Sequence, residues 1–315
     1  MSWQRLMEAF LTALRPLRSP RTIVLMRSHL GHFLAFCRQH RIAEPGQFQA
    51  SGLALYQQWL QWRPGRRGRL LSPHTVARSL TCVRQWFRWA VREGHLLVDP
   101  TRQLVLKKPP RTLHRIPSPA EVDRLLAAPD PLLPWEFRDR VILELAYGTG
   151  MRREELHRLD LADLDLVRGE VRLRRSKGGK ARVLPLAQRL VDLLDEYVRV
   201  VRPELRPRLG ESALWVSGAH LWGRPEHGTR LSYGTMSKLT RRYAKRAGLQ
   251  PFGLHVLRHA FASHLLERGA DLRAVQELLG HDCLGSTQIY TQLRPVALHQ
   301  EHRRTHPRSK PRRPR

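Results

Sequence analysis

The chain has 315 residues, 41% of them hydrophobic and 26% charged, a composition that supports hydrophobic cores in about two domains and excludes disorder throughout. Its 56 Lys and Arg residues against 27 Asp and Glu give a formal net charge of +29, which indicates a polyanionic partner, either nucleic acid or an anionic membrane. No apolar run approaches the roughly 18 residues that span a bilayer, and no signal-peptide pattern opens the chain, so the sequence argues against integral membrane and conventionally secreted proteins.

The charge is distributed unevenly, and this distribution predicts the domain organisation. Residues 1–115 hold 20 basic and 4 acidic side chains, a net of +16, whereas residues 116–300 hold 29 and 22, a net of +7. The last stretch, 301–315, holds 7 basic residues and 1 acidic residue, a net of +6. We therefore expect a basic DNA-binding domain over 1–105, a linker over 106–115, a mixed-charge domain over 116–300, and an Arg/Pro-rich tail over 301–315 that is disordered when unbound.

The first 105 residues predict four or five short helices. Ser19-Pro20 and Ser72-Pro73 each place an N-cap residue before a proline at the first helical position, and an apolar stripe follows both. A shorter helix is predicted over Leu53–Trp62, before a basic loop over 64–69. Four arginines lie off the apolar stripe of the helix that begins near residue 73, and we expect this face to contact DNA: Arg78, Arg84, Arg88 and Arg92. The alternative is a solvated basic face.

The linker contains Lys107 and Lys108, which are further candidates for DNA contact. After it, Ser118 and Glu121 form a capping box that predicts a helix start. Two short strands, over 170–175 and 182–186, flank Lys177-Gly178-Gly179-Lys180 and predict a β-hairpin. A helix is predicted over 233–247, preceded within 214–230 by a strand or a loop.

Two segments of the second domain place a cation where it could bind phosphate. In Gly148-Thr149-Gly150-Met151-Arg152, Arg152 lies near a helix start and could meet a phosphate beside backbone N–H groups, or it is an ordinary surface arginine on a turn. Lys177 at the hairpin tip could enter a DNA groove and act as an acid, or it is a solvated turn residue.

Two later segments carry histidines and a tyrosine. His255 and Arg258 are three residues apart, so on a helix they share one face and could combine proton transfer with phosphate binding. Leu279-Gly280-His281 is typical of a helix end, with Gly280 at C′, and the next predicted helix carries Tyr290. A satisfied histidine, a basic helix edge and a core tyrosine remain the simpler interpretations of these residues taken singly.

Other chemistries lack their motifs. The three cysteines, Cys37, Cys82 and Cys283, are odd in number and widely spaced without Cys-x-x-Cys, so we expect neither a disulfide framework nor structural zinc, which fits a reducing cytoplasm. No His/carboxylate set with metal-ligand spacing is present, and neither GxxxxGK[ST] nor GxSxG occurs.

Together the four segments closely resemble the motifs of the tyrosine recombinase (phage integrase) family, and most closely those of its Xer-type branch. The matching segments stand in the family's order, and the spacing from His281 to Tyr290 also matches: Gly150-Met151-Arg152 with Glu155-Leu156, Lys177 through Leu186, His255-Val256-Leu257-Arg258-His259, and Leu279-Gly280-His281 with Thr287-Gln288-Ile289-Tyr290. The resemblance covers nearly the whole chain. It implies a mainly α protein: an N-terminal helical core-binding (SAM-like) domain and a mostly α catalytic domain with a small antiparallel β-hairpin or sheet.

The resemblance also implies the chemistry, which needs no metal or nucleotide cofactor. Tyr290 would attack the scissile phosphate and form a 3′-phosphotyrosyl link, while Arg152 and Arg258 brace the non-bridging oxygens. Lys177 matches the general acid for the leaving 5′-oxygen, and His255 the acid/base partner of the tyrosine. His281 lies where the family supports the phosphate by hydrogen bonding and packing. Because a tyrosine with a pKa near 10 is a poor nucleophile at neutral pH, it needs such a base and such positive charge.

The implied partner is double-stranded DNA with a specific recombination site, and four copies of the chain would assemble on two such sites. The resemblance leaves open whether a second recombinase is a partner. No membrane partner is implied. The family's roles include DNA integration or excision and the resolution of chromosome or plasmid dimers, and we expect a cytoplasmic, nucleoid-associated protein. Two alternatives stay open: a catalytically silent DNA-binding relative, and a nicking-closing enzyme similar to type IB topoisomerases.

Overall fold

The computed structural model describes residues 2–64, 68, 70–106, 115–174, 181–218, 227–280 and 304–305. The chain divides into two compact units, Met1–Leu113 and His114–Arg315. The predicted fold class, a helical N-terminal domain followed by a mostly α domain with a small sheet, is confirmed. The expected domain bounds stay a prediction, because most of the predicted linker, residues 107–114, lies outside the described residues.

The described residues of the first unit form four α-helices, α1 (Trp3–Leu14), α2 (Pro20–Gln39), α3 (Ser51–Trp62) and α4 (Pro73–Arg92), and a 3-10 turn at Pro45–Gln47. The predicted starts of α2 and α4 are confirmed: the hydroxyls of Ser19 and Ser72 each accept a hydrogen bond from the backbone N–H of the third residue of their helix. Both helices are 20 residues long, so they are longer than the short helices expected. Each continues to the end of its apolar stripe.

The core of this unit is aromatic. α2 packs against α1, α3 and α4, and a chain of rings joins them with centroids 4.9 to 6.3 Å apart. Edge-to-face pairs dominate, as the ring quadrupole favours. The buried rings at the centre are Trp3, Phe33, Phe48, Trp86 and Phe87. Large rigid side chains thus fix the angle between α2 and α4 and the surfaces that both helices expose.

The second unit is built around α6 (Pro134–Thr149), whose side chains are buried on nearly every face. α5 (Pro119–Ala127), α7 (Arg153–Arg158), α8 (Gln188–Glu196) and α11 (Leu254–Glu267) pack against it. The predicted capping box at the start of α5 is present, with Ser118 and Glu121 bonding reciprocally. Because α6 is buried on nearly every face, its charged side chains need partners of opposite charge. Nη2 of Arg138 lies 2.7 Å from a carboxylate oxygen of Asp139, and both side chains are buried.

The sheet contains three antiparallel strands in the order β1 (Leu164–Asp165), β2 (Glu170–Leu173) and β3 (Arg182–Pro185). β2 and β3 are the two strands of the predicted hairpin, with Val171 opposite Leu184. β1 was not predicted, because two residues are too few to show an alternating pattern. The hairpin tip, residues 175–180, lies outside the described residues.

The remaining elements complete the unit. α8 continues through a π-helical turn (Tyr197–Val201) into α9 (Arg202–Glu204), and a 3-10 turn spans Leu161–Asp163. α10 (Tyr233–Arg246) agrees with the predicted helix, and the described part of the segment before it, 214–218 and 227–230, forms an isolated bridge between Val216 and Arg230. α12 (Leu272–Leu279) ends at Gly280 in the left-handed conformation, as predicted.

Two further findings concern the predicted tail and the hydropathy of the helices. Arg304 and Thr305, the described residues of the predicted tail, are helical; Arg304 donates to the carbonyl of Gly269 at 2.9 Å and Thr305 is buried. The expected disorder of the tail stays a prediction. Among the described residues, no helix is long and apolar enough to cross a membrane.

Candidate active site

The end of α6 positions the first predicted site residue. Gly150 terminates α6 with φ of +61°, and a Cβ on it would lie 2.4 Å from the ring of Phe261. Only glycine fits there, since a side chain would be strained by the dihedral and blocked by α11. The tight turn lets the chain restart as α7 at Arg153, three residues after Gly150, with Arg152 as the N-cap residue. The predicted placement of Arg152 near a helix start is confirmed.

Arg258 approaches the same turn from α11. Its guanidinium is buried and donates through Nη1 to the carbonyl of Gly150 and through Nη2 to the carbonyl of Leu279, both at 2.7 Å. One flat, forked side chain therefore ties the end of α6 to the end of α12. A point charge such as an ammonium could not reach both carbonyls in this geometry.

The C-terminal end of α12 is the place where the arginines meet. The last carbonyls of a helix have no partner within the helix and carry partial negative charge, so they attract cations. Arg152 donates through Nη2 to the carbonyl of Gly280 at 2.7 Å, next to the carbonyl of Leu279 that Arg258 holds. Two arginines that are 106 positions apart in the sequence thus converge on two successive carbonyls.

Two further charged residues belong to this cluster, and the sequence reasoning assigned them no role. Glu155, one turn into α7, accepts from the backbone N–H of Arg152 at 2.8 Å and from its Nη1 at 3.1 Å. Arg182, at the start of β3, donates to both carboxylate oxygens of Glu155 at 2.9 and 2.8 Å. The only signal in the sequence was that both residues lie within the segments matching the family, and their pairing spans 27 positions.

The cluster is strongly positive. Three guanidinium groups, those of Arg152, Arg182 and Arg258, surround one carboxylate, that of Glu155, which leaves two excess positive charges in a largely dry site. Burial, followed by repulsion from Arg152, lowers the pKa of Arg258 to about 10, so it stays protonated at neutral pH. Such preorganised charge is suited to stabilising a phosphoryl group that gains negative charge during reaction.

His255 lies on α11 one turn before Arg258, as expected. Partial desolvation of its ring, followed by the nearby charges of His259, Arg258 and Arg153, lowers the pKa of His255 below its usual value. The rings of His255 and His259 are 4.7 Å apart in an edge-to-face arrangement, and a cavity of about 360 Å³ opens beside them. At neutral pH the imidazole is therefore uncharged and can accept a proton.

The other predicted site residues fall into two groups. Lys107, Lys108, Lys177, His281 and Tyr290 lie outside the described residues. The predicted DNA-binding arginines of α4 are in the first unit: Arg78 and Arg88 are exposed and Arg84 is half-buried. Arg88 lies 3.9 Å from Asp99, so part of its charge is already balanced, whereas no ion pair within the described residues involves Arg78. In that part of the chain, no three His, Cys, Asp or Glu side chains are grouped to hold a metal ion.

The comparisons with known proteins identify the family. Residues 117–296 match the model of the phage integrase family. The chain is 38% identical over 288 residues to the tyrosine recombinase XerC 2 of Ralstonia nicotianae, covering 91% of this chain and 80% of that protein. It is likewise 38% identical over 261 residues to the tyrosine recombinase XerD of Vibrio cholerae, covering 82% of each.

Solved structures share the fold. A lambda integrase tetramer bound to a Holliday junction matches with a TM-score of 0.68 at 19% identity, over 92% of this chain and 80% of that one. The XerH site-specific recombinase in a pre-cleavage complex with its difH substrate matches with a TM-score of 0.65 at 22% identity, over 95% and 84%. The arginine pair at the end of α12 fits the family, and the family model and the tyrosine recombinase relatives show the membership: the chain belongs to the phage integrase family.

Proposed function

We propose that the chain is a site-specific DNA recombinase that cuts and rejoins DNA strands through a 3′-phosphotyrosyl intermediate. The observation that carries the proposal is the convergence of Arg152 and Arg258 at the end of α12, immediately before the segment that contains His281 and Tyr290. The relatives' names and the family supply the reaction, and the arginine cluster supplies the charge that it requires.

Each chemical step of strand cleavage is assigned to a named residue. The phenolic oxygen of Tyr290 attacks the scissile phosphorus while its proton passes to His255, whose lowered pKa keeps it neutral and receptive. Arg152 and Arg258 bind the non-bridging oxygens as the pentavalent state forms. The bond to the 5′-oxygen breaks, and Lys177 protonates that leaving oxygen, which departs as the 5′-hydroxyl. His281 supports the phosphate. Because the phosphotyrosyl link retains the phosphodiester's free energy, religation by a 5′-hydroxyl needs no nucleotide cofactor.

DNA recognition is assigned to the N-terminal unit and the linker. The net charge of +16 over residues 1–115 and the exposed arginines of α4 support backbone contacts there by Arg78, Arg84 and Arg88, together with Lys107 and Lys108. The matching solved structures include a tetramer on a Holliday junction, and we propose that four copies of this chain assemble on two DNA sites.

The covalent intermediate tests the proposal directly. Wild type, Tyr290→Phe and Tyr56→Phe would be expressed in the source cells, the cells lysed in detergent, and protein-bound DNA sequenced. Tyr56 is the matched control, because its buried hydroxyl has no hydrogen-bond partner among the described residues and its loss should change little. We expect an adduct with wild type and Tyr56→Phe and none with Tyr290→Phe.

The recovered DNA separates the functions. A single chromosomal locus indicates dimer resolution, and the ends of an element indicate integration or excision. Scattered sites would contradict site specificity and favour a nicking-closing enzyme. Absence of an adduct, also on nicked duplexes from which the released strand diffuses away, would contradict cleavage and leave a silent DNA-binding protein.

A further inference from the structure

The carboxylate of Glu155 is fully occupied by two arginines. Its Oε1 accepts from Nη1 of Arg182 and Nη1 of Arg152, and its Oε2 accepts from Nη2 of Arg182 and the backbone N–H of Arg152. An ionised carboxylate has about four acceptor sites, so these four bonds saturate it. Arg182 alone binds both oxygens through its guanidinium, and it therefore fixes the plane of the carboxylate.

Arg182 connects three elements of the candidate active site. It begins β3, immediately after the hairpin tip that contains Lys177, and its side chain reaches α7 at Glu155. Its guanidinium also lies against Gly280 at the end of α12, where a Cβ would be only 3.0 to 3.2 Å from the Nη1, Cζ and Nε atoms. The glycine that ends α12 thus provides the space that the guanidinium occupies.

The pair is shielded from water, so its orientation is well defined. The side chain of Arg182 is 13% exposed and that of Glu155 is 4% exposed. Burial would raise the pKa of Glu155, but the hydrogen bonds and charge of Arg182, followed by those of Arg152, lower it below its usual value. Glu155 is therefore ionised at neutral pH and would pull Arg152 toward itself if Arg152 were its only partner.

Arg152 depends on this arrangement. It gives Glu155 one guanidinium nitrogen, Nη1, and uses Nη2 for the carbonyl of Gly280. Without Arg182, Oε2 of Glu155 would lose the one guanidinium nitrogen that binds it, and the fork of Arg152 could rotate to bind both oxygens. Arg152 would then leave the end of α12 and turn away from the phosphate.

We propose that Arg182 is a positioning residue for strand cleavage: its two-pronged contact with Glu155 holds the guanidinium of Arg152 in the orientation that receives the scissile phosphate. This inference rests on the proposed recombinase function. Arg182 acts through Glu155 and Arg152 and need not touch the DNA.

The test measures the rate of covalent adduct formation under single-turnover conditions, on a nicked duplex carrying the sequence recovered with the wild-type adduct. The variants are Arg182→Met, Arg182→Lys, Glu155→Gln and the double variant Arg182→Met/Glu155→Gln. Arg174→Met is the matched control: Arg174 follows β2 in the same hairpin and pairs with Asp163 at 2.6 Å, but its side chain is 63% exposed. The free energy of unfolding of every variant is measured by urea denaturation, and the adduct rates are compared at a temperature at which all of the variants are folded.

Three results are expected. Arg182→Met slows adduct formation by about 100-fold, as small displacements of reacting groups do, while the DNA concentration for half-maximal rate changes less than about threefold. Arg182→Lys does not restore the rate, because one ammonium cannot span both oxygens. The double variant is no slower than Glu155→Gln, since Arg182 has nothing left to position. Arg174→Met keeps the wild-type rate.

Other outcomes overturn the proposal. A wild-type rate in Arg182→Met, full rescue by lysine, or multiplied losses in the double variant would each assign Arg182 a structural or independent role. If Arg182→Met does not fold, Arg182→Gln/Glu155→Gln, which removes both members of the Arg182–Glu155 ion pair, is compared with Glu155→Gln in the same way. If the wild type forms no adduct, the proposed function fails and the inference fails with it, whereas an active wild type confines any failure to Arg182.

Discussion

At the scale of single residues, the environment of His255 determines its use. Its pKa is lowered by desolvation and then by His259, so the neutral form persists to lower pH than for a free imidazole. A base works only when neutral, hence the cleavage rate should rise with pH through this lowered pKa and then level off. The lowered pKa of His255 therefore extends strand cleavage to lower pH.

His259→Gln tests this assignment. Replacing the neighbouring histidine removes a packed ring that desolvates His255 and an electrostatic effect that lowers its pKa, so the pKa of His255 should rise and the acid limb of the rate profile should move to higher pH. The measurement is the single-turnover adduct rate between about pH 5 and 8. A limb that does not move, or that moves to lower pH, would contradict the role of His255 as the base.

Arg258→Lys keeps the charge and removes the fork. Because Arg258 spans the carbonyls of Gly150 and Leu279, lysine would satisfy only one of them and present one donor direction to the phosphate. We expect the adduct rate to fall by about 100-fold or more. Arg268→Lys, an exposed position just beyond the end of α11, serves as control and should retain the wild-type rate. Near-normal cleavage by Arg258→Lys would contradict the assignment.

At the scale of elements, the joint between α6 and α7 decides where Arg152 lies. Gly150 is in the left-handed conformation and faces Phe261 so closely that a methyl group would overlap the ring. Gly248, after α10, has a similar φ of +68°, but a Cβ added to it would meet nothing within 4 Å. The two glycines therefore separate dihedral strain from steric overlap.

Gly150→Ala should destabilise the chain more than Gly248→Ala. Both variants place alanine in a left-handed conformation, which lowers the free energy of unfolding by about 1–2 kcal/mol in each case. Only Gly150→Ala also overpacks against α11, adding about 1–3 kcal/mol. Urea denaturation of the full chain measures both losses, and equal losses would show that the contact with Phe261 does not constrain the turn.

At the scale of the whole molecule, the basic N-terminal unit should dominate affinity for DNA. Each phosphate contact releases counterions, so the slope of log K against log salt reports how many contacts form. Arg78 is exposed and free of ion pairs within the described residues, whereas Arg88 lies near Asp99. Arg78 and Arg88, which lie on the same helix, thus differ in how much uncompensated positive charge is available to a DNA phosphate.

Arg78→Gln should reduce the salt slope by about 1, and Arg88→Gln by less, in fluorescence anisotropy on a labelled duplex between about 50 and 200 mM salt. Arg199→Gln, on the π-helical turn of the second unit and paired with Asp195, should leave the slope unchanged. An unchanged slope in Arg78→Gln would place the DNA-binding face of the N-terminal unit elsewhere.

Local patterns predicted much of the fold. The Ser-Pro starts of α2 and α4, the capping box of α5, the glycine at the end of α12 and the β2–β3 hairpin are all confirmed, because caps, turns and apolar periodicity act over a few residues. The two-residue strand β1 and the bridges around Trp215 escaped prediction, because they are stabilised by partners distant in sequence rather than by their own residues.

The amino-acid sequence was enough to predict the family and the helical class, because motifs at short, ordered spacings and apolar periodicity can be recognised locally. The candidate catalytic residues follow from the resemblance to the family and stay a prediction. Only the tertiary structure decided that Arg152 and Arg258 meet at the carbonyls of α12, and that Arg182 and Glu155 lie beside them. The physical reason is burial: a guanidinium or carboxylate removed from water must find partners, and folding brings those partners from α6, α7, β3 and α12.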